Sequence, residues 1–132
     1  MAKTGFYDAL ETRSDDERAA ALARDLPAQI ARAKALSGYA DTLRDIDPEA
    51  ITSAKALSAL PVLRKSELSK AQAGHPPFGG FTTRAPSAFA HIFQSPGPIY
   101  EPGSTDRDWW RFGRVLHAAG IGPGDIVQNC FG

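Results

Sequence analysis

Glycine and proline are distributed so unevenly that they decide where this chain can be helical. Nine glycines and seven prolines follow Gly74, against three of each up to it. Alanine runs the other way, with seventeen residues up to Gly74 and five after. Alanine is the best helix former, proline removes a backbone donor, and glycine costs backbone entropy. Residues 1–74 therefore predict a helical subdomain. Residues 75–132, with nine of the twelve aromatics, predict strands, turns and loops. The joint is the run Gly74-His75-Pro76-Pro77-Phe78-Gly79-Gly80.

Local signals place the elements. A short helix is expected near Tyr7–Glu11. Ser14-Asp15-Asp16-Glu17 reads as a capping box, in which the serine hydroxyl and the glutamate carboxylate satisfy each other's amides. Leu22, Leu26, Ile30 and Ala33 then share one helical face. Pro27 interrupts that face at a cost of about 3 kcal/mol, so two helices are expected, the second stopping at Gly38. Thr52 or Ser53 can cap a short helix before Pro61, and another helix covers about Lys65–Gln72. After the joint, Phe89–Phe93 reads as a strand, and Ser95–Gly103 as an ordered loop or a broken hairpin. Thr105 can cap a helix with Trp109, Phe112, Leu116 and Ala119 on one face and Gly120 as its stop. Gly122-Pro123-Gly124 turns the chain into a strand over Asp125–Cys130. Strand, loop, helix, turn and strand outline a βαβ crossover. The fold class expected is α/β: a helical subdomain, then the start of an α/β domain over 75–132.

Charge and cysteine restrict the function classes. Fifteen Lys+Arg balance fifteen Asp+Glu, so a basic surface for nucleic acid or anionic lipid is not expected. One cysteine excludes an intramolecular disulfide and every multi-cysteine zinc site. No apolar run reaches the roughly 20 residues of a membrane span. Five acidic residues among the first 17, with no apolar core, argue against a signal peptide. A soluble protein of the cytoplasm is expected.

Few residues point to chemistry. The stretch Ser95–Gly103 sits where phosphate-binding loops sit, after a strand and before a helix. Ser95 offers a hydroxyl, and Gly97 and Gly103 allow close approach. Pro96, Pro98 and Pro102 remove three donors and the stretch has no lysine, so a rigid structural turn stands beside the phosphate reading. His75, His91 and His117 lack metal-ligand spacing, and no metal site is expected. His91 is expected to pack, and His117 to lie on the polar side of its helix. Cys130 reads as a buried small residue. Trp109 reads as core and Trp110 as a side chain facing an interface. The row Arg107, Arg111 and Arg114 reads as a solvated face.

Four segments carry a resemblance. Ile46-Asp47-Pro48 with Ile51-Thr52-Ser53 and Leu57, and then Leu60-Pro61-Val62-Leu63-Arg64-Lys65-Ser66-Glu67-Leu68, resemble consecutive segments of phenylacetate–CoA ligases. Pro77-Phe78-Gly79-Gly80-Phe81 is similar to their Pro-Phe-Gly segment. Gly120-Ile121-Gly122-Pro123-Gly124-Asp125-Ile126-Val127-Gln128-Asn129 is similar to the segment leading into their large nucleotide-binding domain. These ligases are AMP-forming adenylating enzymes, which use ATP and magnesium to couple a carboxylic acid to coenzyme A through an acyl-adenylate. The resemblance implies the N-terminal portion of such a ligase, with its catalytic residues beyond Gly132. This stretch itself would hold no cofactor, while ATP, Mg2+ and coenzyme A are implied for the whole enzyme. Ser95, Gly97, Tyr100 and Gly103 stand where the family has its Ser/Thr/Gly-rich, lysine-bearing phosphate loop; of these, Ser95 and Gly97 correspond. A function of another class, a non-catalytic binding or assembly module, is carried beside it. A homo-oligomer is expected, because the Trp109–Phe112–Leu116 face and the Asp125–Cys130 strand lack covering elements.

Overall fold

The computed structural model describes residues 5–128 and residue 130. It is of mixed helix and strand, and the chain divides into two compact units: Ser14–Thr105, and Met1–Arg13 with Asp106–Gly132. The boundary expected after Gly74 falls inside the larger unit.

The larger unit opens with helix α1, Asp15–Lys34. Its capping box forms as the sequence predicts. The Glu17 amide donates to Ser14 Oγ at 3.2 Å, and the Ser14 amide donates to Glu17 Oε2 at 2.7 Å. Pro27 does not divide the helix, which runs through it unbroken. Pro27 is buried together with Ile30, three residues on and on the same face. Burial of the ring offsets the lost Ala23–Pro27 hydrogen bond, a packing gain that propensity does not register. Gly38 is not the stop either, for α1 ends at Lys34 with Ala35 as its C-cap. Gly38 instead donates its amide to the Gly80 carbonyl at 3.1 Å. A Cβ on Gly38 would lie 2.7 Å from the Gly79 oxygen, so this backbone approach requires glycine.

Ser53 Oγ accepts the Ala56 amide at 3.1 Å and starts a 3-10 turn over Ala56–Ala59. Helix α2 follows over Lys65–Gly74. Strands β1, His91–Ser95, and β2, Ile99–Gly103, pair antiparallel, with His91 opposite Gly103 and Ser95 opposite Ile99. Ile30, Leu43, Ile51, Phe78 and Ile99 form the core, each at most 7% exposed, and all five lie in this unit.

The βαβ outline is corrected. Its closing strand, expected over Asp125–Cys130, does not form among the described residues, and its helix is cut to Gly113–Ala118. The 95–103 stretch instead supplies β2, only three residues (Pro96–Pro98) after β1, where a parallel pairing would need a dozen or more. A hairpin is what so short a link permits. His91, expected to pack, is exposed on β1.

In the smaller unit a 3-10 turn over Ala9–Thr12 is capped by Asp8, whose Oδ1 accepts the Leu10 amide at 2.9 Å. The helix expected from Thr105 is much shorter: α3 covers Gly113–Ala118. Asp108 and Arg111 have φ of 53° and 55°, which breaks any earlier helical turn. Asp108 Oδ1 accepts the Gly113 amide at 2.8 Å and so fixes the later start. Gly120 is the stop, as expected. At φ 84° it lets its own amide reach the His117 carbonyl at 2.9 Å and the Ile121 amide reach that of Leu116 at 2.9 Å, a Schellman closure. Gly122-Pro123-Gly124 then turns, with the Asp125 amide on the Gly122 carbonyl at 3.0 Å.

The strand expected over Asp125–Cys130 is absent from its described residues, 125–128 and 130, which have no strand partner; Asn129 lies outside them. Cys130, expected buried, is exposed for the same reason. Trp109 is half-buried, Trp110 is 52% exposed, and no described residue of this unit is fully buried. Among the described residues no helix is long and apolar enough to cross a membrane.

Candidate functional site

The residues singled out for phosphate fall on one hairpin. Ser95 ends β1, Gly97 lies in the turn, Tyr100 is the second residue of β2, and Gly103 is its last. Each has a local partner. Ser95 Oγ donates to the Ile99 carbonyl at 3.4 Å, across the turn. Gly97 has φ 146° and presents its carbonyl to Ser69 Oγ at 3.3 Å. Gly103 is buried, and a Cβ there would meet the Phe93 ring at 2.6 Å. Its lack of a side chain makes room for that ring.

Tyr100 brings in a residue that the sequence does not announce. Gln72, 7% exposed on α2, lays its amide along the backbone of β2. Its Nε2 donates to the Tyr100 carbonyl at 2.8 Å, and its Oε1 accepts the Tyr100 amide at 2.8 Å. The side chain thus acts as one residue of a third strand and covers that part of the free edge of β2. Pro102, two residues on, has no amide to donate there. A faint signal exists in the sequence: Gln72 falls four residues after Leu68, a polar side chain on the apolar face of α2.

A cavity of about 230 Å³ opens beside this clamp. Leu63 comes from the segment before α2, Leu68 from α2 itself, and Ile99 and Tyr100 from β2. Phe78, Phe81 and Thr82 come from the Pro-Phe-Gly-Gly-Phe segment, and Tyr39 from the turns after α1. Gly79 and Gly80, with φ of 66° and 76°, fold that segment back so that both phenylalanines reach the cavity. Tyr39 and Phe81 meet edge to face with centroids 4.9 Å apart, a favoured aromatic geometry. Glu101 is the charged residue of the lining.

Other groups are placed elsewhere. In the smaller unit Arg114 Nη2 donates to both carboxylate oxygens of Asp8 at 3.0 Å. That bond holds the Asp8 carboxyl below its ordinary pKa and raises that of Arg114. Arg114 is therefore paired and not simply part of a solvated row. His117 stacks obliquely on Tyr7 at 5.8 Å. Among the described residues no group of His, Cys, Asp or Glu is arranged to hold a metal ion. No family model matches the chain, and neither a curated protein nor a solved structure matches it.

Proposed function

We propose that this sequence is the N-terminal scaffold of an aryl- or acyl-CoA ligase of the AMP-forming kind. The observation that carries the reading is the order of its segments. The Asp-Pro stretch, the Leu-Pro-Val stretch, the Pro-Phe-Gly stretch and the Gly-Pro-Gly-Asp stretch follow one another here as they do in phenylacetate–CoA ligases. In the complete reaction a carboxylate oxygen attacks the α-phosphorus of ATP, and the bond to pyrophosphate breaks. The thiol of coenzyme A then attacks the acyl carbon and AMP leaves. Magnesium, when bound, shields the phosphate charge.

The part assigned to this chain is positioning. Gln72 and Ser69 fix the 95–103 hairpin on α2, and Ser95 and Gly97 are its candidate groups toward a nucleotide. The protein is assigned to the cytoplasm, where ATP and coenzyme A are available.

One observation favours the second reading, a non-catalytic binding or assembly module. Three prolines leave the hairpin short of donors, and the Tyr100 amide is already held by Gln72. Phosphate cradles are built from free amides.

Thioester formation tests the proposal. The product of the whole reading frame containing this sequence is incubated with ATP, magnesium, coenzyme A and a panel of aryl and acyl acids. An acid-dependent CoA thioester is expected by mass spectrometry. None with any acid favours the module.

A further inference from the structure

We propose that the cavity beside β2 is a binding site for a small organic ammonium carrying an apolar or aromatic tail. The inference is independent of the ligase reading. Its size sets the class of molecule. A dry cavity of about 150 Å³ holds benzene, so one of about 230 Å³ holds a single ring with a short chain.

The lining sets the charge. Four aromatic residues, Tyr39, Phe78, Phe81 and Tyr100, line the space. Their π faces are negative and attract a cation that comes within about 6 Å. Glu101 adds a full negative charge. Among the described residues its carboxylate has no hydrogen-bond or ion-pair partner. Among the described residues no Lys, Arg or His lines the cavity, so a carboxylate ligand would meet like charge and no counter-ion there.

Two of the other polar side chains are occupied: Gln72 is spent on Tyr100, and Thr82 Oγ1 donates to the Arg84 carbonyl at 3.1 Å. The Tyr39 and Tyr100 hydroxyls are neutral groups that serve an alcohol as well as an ammonium, so the preference for charge rests on Glu101 and the rings. An ammonium with a hydrophobic tail suits both the anion and the apolar surface.

Amide NMR of the full chain tests this with three probes of one shape: 2-phenylethylammonium, 2-phenylethanol and phenylacetate. The ammonium is expected to give saturable shifts at the amides of Phe81, Thr82, Tyr100 and Glu101. The alcohol should bind about threefold more weakly and the acid about tenfold, as expected for a partly exposed charge. Glu101→Gln, at an exposed position, should weaken the ammonium about threefold and narrow the spread among the probes. Phe81→Leu, which keeps the bulk and removes the ring, should weaken it by a similar factor. Phenylacetate binding as tightly as the ammonium, or an unchanged affinity in Glu101→Gln, would overturn the proposal. So would the absence of saturable shifts up to about 10 mM ligand, the weak end of specific binding.

Discussion

Gln72 and Asp8 each show a single side chain setting local geometry. Gln72 satisfies two backbone groups of Tyr100 that have no strand beside them. Gln72→Leu keeps the bulk and orphans both. An unsatisfied buried polar group costs about 1–3 kcal/mol, so the urea midpoint should fall by an amount in that range; a loss below about 0.5 kcal/mol would mean that water replaces the clamp. Asp8 answers a different question, that of pH. The Arg114 guanidinium lowers its pKa in the folded state below the ordinary 3.8. The unfolded chain then binds the proton more readily than the folded one. The pair's stabilisation is present above the ordinary value and is lost as pH falls through the lowered one. Carbon-13 titration of the Asp8 carboxyl should return toward 3.8 in Arg114→Leu. An unmoved titration would remove Arg114 as the cause.

At the scale of elements, what was legible in the sequence was what lies within a few residues. Ser14 and Glu17 are three apart, and their capping box forms as written. Ser14→Ala should lower stability by about 1 kcal/mol in thermal unfolding, and Glu17→Ala on that background should add little, since the two act as a unit. Equal, additive losses would contradict that coupling. Gly120 and the Pro123-Gly124 turn were legible for the same local reason. Gln72 was not, because its partner Tyr100 is 28 residues away and nothing in the spacing links them. Pro27 is not legible as an interior helix residue, because propensity counts the lost hydrogen bond and not the burial of the ring. The 95–103 stretch reads in sequence as loop or hairpin alike, and the shortness of its turn sets the antiparallel pairing. The helix from Thr105 and the strand from Asp125 failed differently. Asp108 and Arg111 take left-handed φ, which apolar periodicity does not register, and a strand pattern forms no strand where no partner edge lies beside it.

At the scale of the whole molecule, burial is concentrated in Ser14–Thr105. Among the described residues the buried side chains of Ile30, Leu43, Ile51, Phe78 and Ile99 lie there, whereas Trp110, Phe112 and Val115 of the other unit are 52–59% exposed. Apolar side chains left in water favour association, by roughly 1.5–3 kcal/mol for each one fully covered. The chain is therefore expected to form a dimer or higher oligomer in light scattering at micromolar concentration, with Trp110→Glu shifted toward monomer. A monomer throughout would remove these side chains as an interface.

Carboxylate activation, the role proposed for this sequence, is tested most directly by ATP–pyrophosphate exchange. Two proteins are compared, the 132-residue chain and the product of its whole reading frame, each with magnesium and a panel of aryl and acyl acids. The chain is expected to give no exchange above a blank, because one proline-rich hairpin supplies too few groups to stabilise charge at a reacting phosphate. The whole product is expected to give exchange that requires the acid. Exchange by the 132-residue chain alone, or none by the whole product with any acid, would contradict the account.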